Sequence, residues 1–450
     1  MSRHSWSLAP ALIASLLFAG CQSYSPMQLD DAAHAREWKA RDINGASVRD
    51  FAAALAKRDA AARTYNPADG LDLAEAEVVA LFFNARLRKA RLDAGAALAG
   101  AQNAGEWDNP ELNISGGLIL ESIANPWTAS AGIEFTIPIS GRKGVEKDLA
   151  VAQHRVKWRE VLALEWEVIG ELCAAWRERA ATIERLALLR EHVASMEDVG
   201  KRASDLAKAG ELPRTDARVF EIELVQSRIE LAEQESMGRE QDTIILGLLG
   251  LVPTAPVKLN VTLAATNSSG SLENSPRLAL ARAEYDVAEQ NLRLEIRKQY
   301  PDLRIGPGYD IDEGQSTISL GFGIPIPIIN LNREGIARAR GERLAARAAY
   351  EGTAEEITVA AQVARQRLER VKASRKVVDE QLAPLVDLQV KEAGDRAKAG
   401  DFDALVMLEA LNSRREAKER VLQTMLDEAL AIDTLNALMG PTFKPEEEKK

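Results

Sequence analysis

The chain has 450 residues, enough for about three average domains or for one extended domain. Its 57 Lys and Arg residues against 68 Asp and Glu residues give a formal net charge of −11, which argues against nucleic acid or an anionic lipid surface as a partner. Apolar residues at 46% and charged residues at 28% exclude extensive disorder and collagen-like sequence, while only 5% aromatic residues and long runs of Ala, Leu, Glu, Arg and Lys favour long helices packed side by side.

The first twenty residues have the layout of a secretory signal peptide. Arg3 precedes an apolar stretch at 8–18 that is too short to span a bilayer, and two small residues follow it. Residues 17–21 (LFAGC) resemble a bacterial lipobox, which implies that Cys21 carries acyl chains such as palmitate and anchors the mature protein. No Asp stands at position 22, so the resemblance implies export to the outer membrane. An ordinary signal peptide with an incidental cysteine is the alternative.

The rest of the chain is internally duplicated. Four segments recur in the same order at nearly one spacing: 109–114 as 300–305, 130–139 as 319–328, 207–210 as 397–400, and 246–250 as 436–440. Such self-similarity predicts two structural repeats. We place them at 71–250 and 276–440, with an N-terminal segment at 21–70, a linker at 251–275 and a solvated tail at 441–450.

Each repeat contains a predicted β-hairpin, at 111–139 and at 302–328. Apolar residues such as Ile133 and Phe135 alternate there with small or polar residues, a pattern that fits either a soluble sandwich or a membrane barrel. Four strands are too few to close a membrane barrel, and open sheet edges in lipid are prohibitive. A membrane barrel therefore requires several chains, which predicts an obligate oligomer.

Long helical hairpins account for most of each repeat. Residues 144–208 and 335–398 predict two nearly continuous helices, the second kinked by Pro384. Tight turns at 209–212 and 399–402 lead into returning helices. Two adjoining apolar stripes mark the last helix, and they predict packing on two sides. One stripe has Val421, Met425, Ile432 and Leu435, and the other has Leu422, Leu426 and Leu430.

This organisation resembles the TolC-type outer membrane factors over essentially the whole mature chain. Residues 71–81 resemble the opening helix of that family, and 207–210 with Asp216 resemble its helix-turn-helix tip. The corner at 323–335 is similar to that of the cation-efflux branch, although Leu331 and the late Gly335 depart from its pattern. The resemblance implies a mainly α fold with a small β membrane part. Duplicated helical hairpins would form an α-barrel, each protomer would add four strands to a trimeric twelve-stranded β-barrel, and residues 27–66 and the tail would contribute to a collar.

The same resemblance implies a passive channel of a tripartite efflux system, exporting metal cations or drugs. The expected partners are two further copies of the chain, a periplasmic adaptor, an inner-membrane pump and outer membrane lipid, with no nucleic acid. The expected location is the outer membrane, with a lipid anchor and an extension into the periplasm. A channel for type I protein or peptide secretion is the alternative, and a lipid-tethered periplasmic coiled-coil scaffold is a further one.

The candidate functional residues follow from these expectations. Asp216 and Glu409 are candidates for an acidic constriction of the lumen, and a solvated helix face is the alternative. The four His residues lack metal-ligand spacing and no catalytic or cofactor motif occurs, so we expect no enzyme, cofactor or metal site. Cys173 is interpreted as a small buried hydrophobe. The candidate adaptor contacts at the tips are Ala209, Gly210, Glu211, Ala399, Gly400 and Asp401.

Overall fold

A computed structural model describes residues 24–57, 65–120, 123–265 and 270–440. The signal peptide, Cys21 and the tail at 441–450 lie outside these residues. The chain divides into two compact units after Asp42. In the first unit, helix α1 (Asp31–Lys39) is capped by Asp30, whose side chain accepts the Ala33 N–H at 2.8 Å.

The second unit holds both repeats, which therefore share one compact unit and are not separate domains. Each repeat contributes two strands followed by a long helical hairpin, so the predicted mainly helical fold is confirmed. The first repeat and the segment before it contain α2 (Ala46–Ala56), α3 (Leu73–Phe83), α4 (Ala85–Gln102), β1 (Glu111–Leu118), β2 (Trp127–Ile137), α5 (Arg142–Ala209) and α6 (Arg214–Leu248). The second repeat contains α7 (Pro276–Arg297), β3 (Leu303–Asp312), β4 (Gln315–Gly323), α8 (Arg333–Val377), α9 (Ala383–Lys398) and α10 (Ala404–Met439).

Helix α5 is a single uninterrupted helix of 68 residues, as the sequence predicts. At 1.5 Å per residue it is about 100 Å long, far beyond the usual helix of a globular protein. Helices α4, α6, α7 and α10 all pack against it. Because it has neighbours on several sides, small residues such as Ala180 and Ala181 are buried along it, and they let the helices approach closely.

The long helix of the second repeat is interrupted just before Pro384. Residues Val378–Leu382 form a π-helical turn, and α9 begins directly after it. Proline has no N–H to donate to the carbonyl four residues back, and its ring crowds that carbonyl. Widening the preceding turn accommodates both effects, and the Ala383 N–H accordingly bonds the Val378 carbonyl five residues back.

Helix α10 packs on two sides, as its two apolar stripes predict. On one side Leu422 and Leu426 form a core cluster with Ala181 of α5. On the other side Ile432 packs with Leu368 of α8. The last helix therefore joins the long helices of the two repeats.

The segment predicted as a linker is part of the core over its first half. Leu71 pairs with this segment as a short parallel bridge, in which its N–H donates to the Lys258 carbonyl at 2.9 Å and its carbonyl accepts the Asn260 N–H at 2.8 Å. The alternating residues Val257, Leu259 and Val261 pack onto the core cluster around the fully buried Trp176. Residues 257–261 thus fasten the start of α3 to α5.

Candidate functional site

The four strands form one antiparallel sheet in the order β1-β2-β3-β4. The hairpin of one repeat joins that of the other through β2 and β3, where Ala131 lies opposite Tyr309. Strands β1 and β4 are the sheet edges, each paired on one side only within the described residues. Each chain therefore presents a four-stranded section with two edges available for pairing.

One face of this sheet is apolar and exposed. Alternation along each strand and the pairing register bring these side chains to the same face. Several are more than half exposed, which is unusual for large apolar residues on a water-facing sheet. They include Leu112 at 64%, Ile114 at 73%, Ile318 at 84%, Leu320 at 58% and Phe322 at 67%. Exposed aromatic rings stand near both ends of the sheet, Trp127 at the distal end and Tyr300 before β3 at the helical end.

The opposite face is polar. The Ser115 and Ser130 hydroxyls are hydrogen-bonded at 2.8 Å, and the Ser319 hydroxyl donates to the Asp310 carboxylate at 2.8 Å. Apolar residues on one face with polar residues on the other are the pattern of a barrel whose outer surface meets lipid and whose interior meets water.

The β3–β4 turn explains the acidic residues that surround it. Glu313 and Gly314 both have positive φ, the backbone of a two-residue type I′ hairpin turn. Asp310 accepts the Ser319 hydroxyl across the strands, so its carboxylate belongs to the sheet. The hairpin therefore accounts for Asp310 and Glu313.

The strand-to-helix corner is held by Glu295 at the end of α7. Strand β4 ends at Gly323, earlier than the predicted end at 328, because Pro325 and Pro327 cannot donate to a strand ladder. Asn332 donates from Nδ2 to the Glu295 backbone carbonyl at 2.8 Å and to its carboxylate at 2.7 Å. A Cβ at Gly335 would meet the Glu295 carboxylate and the Asn332 amide, so a larger residue here would displace these two side chains.

The two helical tips have the same geometry, as the duplication predicts. Gly210 follows α5 with φ of 80°, and Gly400 follows α9 with φ of 91°. In both tips the residue after the glycine bonds the carbonyl five residues back, Glu211 to Leu206 at 3.0 Å and Asp401 to Arg396 at 3.1 Å. This is a Schellman ending, in which glycine avoids the strain of positive φ. An added Cβ meets nothing within 4 Å at either glycine, so both tips are open.

One apolar cluster holds the two tips together. Phe220 of α6 and Phe402 of the second tip lie with ring centroids 6.3 Å apart. The buried members come from all four tip helices: Met196, Ala203, Ala217, Phe220, Ala393, Ala404, Met407, Ala410 and Leu411. The tips therefore form one packed end of the molecule, a contact between repeats that neither repeat reveals alone.

Known proteins resemble both the sequence and this arrangement. No protein-family model matches the chain. The cobalt-zinc-cadmium resistance protein CzcC of Cupriavidus metallidurans is 22% identical over 341 residues, which cover 74% of this chain and 81% of that protein. The structure of the outer membrane protein VceC of Vibrio cholerae superposes with a TM-score of 0.71 at 16% identity, covering 82% of this chain and 96% of that one. The chain is therefore similar in sequence to CzcC and has the fold of the TolC-like outer membrane factors.

A further structural relative has the same outer membrane factor fold. The open state of the Neisseria gonorrhoeae outer membrane channel MtrE has a TM-score of 0.66 at 15% identity, with 82% of this chain and 89% of that one covered. The two structural relatives are thus an outer membrane protein and an outer membrane channel. The described residues contain no group of three or more His, Cys, Asp or Glu side chains arranged to hold a metal ion. Among those same residues, no helix has the length and apolar character needed to cross a membrane.

The predicted constriction residues lie near the tips of the two helical hairpins. Asp216 is in the first turn of α6, half-buried, and accepts the Thr215 hydroxyl at 3.0 Å. Glu409 is exposed on α10 and accepts the Ser413 hydroxyl at 3.4 Å. The acids of the second turn have structural partners as well, since Asp401 pairs with Arg396 and Asp403 caps α10.

Sequence analysis does not indicate one set of largely buried charged residues. We call this set, which lies beside the core, the charged junction. It comprises Glu77 on α3, Cys173 and Arg177 on α5, Asp433 on α10, and the backbone carbonyl of Thr262. Arg177 Nε lies 3.0 Å from the Asp433 carboxylate, with side chains 4% and 11% exposed. Cys173 is buried, but its thiol lies 3.9 Å from the Glu77 carboxylate, so describing it as a plain hydrophobe misses a polar contact. Glu77 and Asp433 are 356 positions apart in the sequence, and only the fold brings them together.

Proposed function

We propose that this chain is the outer membrane channel of a tripartite efflux system, acting as a passive homotrimeric conduit. The observation that carries the proposal is the sheet, with one exposed apolar face, one polar face and two edges available for pairing. Three copies would give twelve strands, enough to close a barrel that four cannot close. A tethered coiled-coil scaffold would not require a sheet with an exposed apolar face and two unpaired edges.

Exposed apolar stripes on the helices support assembly with further copies of the chain. On α6, Ile222, Val225 and Ile229 are each more than half exposed and stand at helical spacing. On α9, Leu385 and Leu388 form a comparable exposed pair. A neighbouring copy on each side would cover both surfaces and continue the helical wall.

Single-channel conductance in a planar bilayer tests this function, with the oligomer mass measured in the same detergent. We expect long-lived conducting events from a species of three chains. A monomer or dimer that never conducts in a lipid-supplied preparation would contradict the conduit and favour the scaffold.

Metal cations are the proposed cargo. The support is the similarity to a protein named for cobalt, zinc and cadmium resistance and the corner similar to the cation-efflux branch. A deletion strain should become more sensitive to these cations than to drugs. A strain that became more sensitive to drugs than to these cations would indicate that drugs are the cargo. If the strain instead failed to secrete a polypeptide, type I secretion would be favoured.

The helical tips are proposed to meet the periplasmic adaptor, and an arginine at each tip glycine tests this. Gly210→Arg and Gly400→Arg should reduce export at least tenfold while trimers remain intact, because the added side chains project into the open contact surface. The matched controls are Gly210→Asn and Gly400→Asn, since asparagine tolerates positive φ with little bulk. Equal export by the arginine and asparagine variants would show that the tips do not contact the adaptor.

Asp216 and Glu409 are proposed to line the constriction near the tips. Rings of carboxylates favour cations in a pore. Asp216→Asn with Glu409→Gln should lower the cation-to-anion permeability ratio while leaving trimers intact. An unchanged ratio would show that these side chains face away from the lumen.

Acylated Cys21 is proposed to anchor the chain in the outer membrane. The lipobox-like segment at 17–21 supports this modification. Labelling cells with a fatty-acid analogue should mark the wild-type chain and leave Cys21→Ala unmarked. Equal labelling of the two would contradict acylation at this position.

A further inference from the structure

Beyond the end of β4 the chain continues through a run of exposed isoleucines. Four of these side chains are more than half exposed, namely those of Ile324, Ile326, Ile328 and Ile329. We call residues 324–329 the isoleucine corner. The spacing of two residues that places Phe322 on the apolar face of the sheet continues through its first three isoleucines. The isoleucine corner therefore prolongs the apolar surface of the sheet toward the helices.

The backbone of the isoleucine corner leaves the strand ladder. Pro325 and Pro327 have no N–H to donate, and the Ile328 N–H donates to the Ile326 carbonyl at 2.9 Å in a tight turn. Lipid-exposed backbone outside a closed ladder is excluded from the hydrocarbon core of a bilayer. The isoleucine corner thus fits the level of the lipid headgroups, from which its side chains can reach the acyl chains.

A neighbouring copy offers little apolar surface to cover the isoleucine corner. In a closed barrel β4 would pair with β1 of the next copy, antiparallel like the other strands, so the residues before Glu111 would approach this corner. Among residues 103–110 (NAGEWDNP), Trp107 is the only large apolar residue. Asp108 of that segment already pairs with Arg142 of its own chain at 3.0 Å. One ring among polar groups is a poor match for four isoleucines, whereas acyl chains are a good one.

A cation without a carboxylate partner stands next to the isoleucine corner. Arg333 begins α8, is exposed and forms no ion pair with any residue that the structure describes. Glu334 follows it, but adjacent residues on a helix do not face each other. In the corresponding corner of the first repeat, Arg142 and Lys143 pair with Asp108 at 3.0 and 2.9 Å. The second corner thus combines exposed apolar side chains with an uncompensated guanidinium, which matches a phospholipid, apolar in its chains and anionic at its phosphate.

We propose that the isoleucine corner and Arg333 form a phospholipid site in the periplasmic leaflet of the outer membrane, with the isoleucines against the acyl chains and the guanidinium on the headgroup phosphate. This inference rests on the proposed function, because it takes the apolar face of the sheet as the lipid-facing surface and the helical end of the sheet as the periplasmic end. One such site in each copy would fix the height of the barrel relative to the membrane.

Site-specific photocrosslinking in cells tests the site on the full chain. A benzophenone amino acid is introduced at Ile328, and the cells are grown with radioactive phosphate before irradiation. We expect radiolabel on a chain-sized band, and phospholipase C should release it, because that enzyme removes the headgroup phosphate from a crosslinked phospholipid. A product of twice the chain mass would place a neighbouring copy on the corner, and radiolabel that resists the enzyme would indicate lipopolysaccharide. Either result overturns the proposal.

Two further positions distinguish failure of this site from failure of the proposed function. The same amino acid at Phe322, within β4 and 67% exposed, should crosslink lipid if the apolar face meets the membrane. At Leu344 it should take up no radiolabel, because this exposed residue lies about 16 Å further along α8 than Arg333. Label at Phe322 without label at Ile328 overturns the phospholipid site alone. Absence of label at both positions overturns the lipid-facing sheet as well, and with it the proposed function.

Arg333→Gln tests the contact with the headgroup. Oligomers are purified in detergent, and native mass spectrometry counts the phospholipids that each oligomer retains after washing. Loss of one cation at the headgroup level should lower retention about fivefold. The matched control is Arg340→Gln, an exposed arginine two turns further along α8, which should retain phospholipid like the wild type. Equal retention by the two variants would contradict the contact between Arg333 and the phosphate.

Discussion

Replacing Arg177 by methionine is expected to destabilise the folded chain by about 3–5 kcal/mol, because it leaves a buried carboxylate without its partner. The guanidinium is the cation that contacts Asp433, and it also donates to the Thr262 carbonyl. Methionine preserves much of the packing volume but supplies neither hydrogen bond. The measurement is the apparent unfolding temperature of the oligomer at a fixed heating rate.

Arg179→Met is the matched control for this loss. Arg179 stands two residues further along the same helix and pairs with Asp242 at 2.6 Å, but the two side chains are 16% and 40% exposed, against 4% and 11% for Arg177 and Asp433. A solvent-screened pair contributes about 1 kcal/mol or less, so the control should change the unfolding temperature little. The double variant Arg177→Met with Asp433→Leu should recover most of the lost stability, since an apolar pair can replace a buried ion pair. Equal destabilisation by the two single variants would show that burial of the ion pair does not determine how much stability is lost when its arginine is replaced.

The duplication explains why so much of the fold is predictable from sequence. Glycine at both tips, alternation in both hairpins and the position of Pro384 are local signals, and each corresponds to a local structural feature. Pairing of the two hairpins into one sheet was implied by the family resemblance and not by the alternation itself. Local chemistry decides these features, so a sequence pattern is sufficient to indicate them.

Contacts between distant segments were not predictable in the same way. A charge on a long helix, such as Arg177, is usually solvated, and its own neighbours in sequence do not indicate that α10 covers it. Phe220 and Phe402 likewise meet only because the two tips lie side by side. For the same reason the sequence did not indicate that residues 257–261 of the predicted linker pack against the core, since this contact needs α3 and α5.

A lysine at Ala131, in the middle of β2, is expected to prevent stable insertion of the oligomer into the outer membrane. Ala131 lies on the apolar face, between Ile114 on one neighbouring strand and Tyr309 on the other. A cation at the middle of a lipid-facing barrel surface costs about 2–4 kcal/mol, and the proposed homotrimer would incur that cost three times. The measurement is the amount of heat-stable oligomer recovered from outer membranes.

Ser130→Lys is the control that separates lipid exposure from general damage to the strand. Ser130 is adjacent in sequence but points to the polar face, where its hydroxyl bonds that of Ser115 at 2.8 Å. If that face lines a water-filled lumen, the added charge stays solvated, so oligomer yield should be near wild type while the conductance changes. If both lysines lowered the yield equally, the two faces would have equivalent environments, and the assignment of the apolar face to lipid would be wrong. Because the substitutions differ only in the direction of one side chain, their comparison tests the barrel directly.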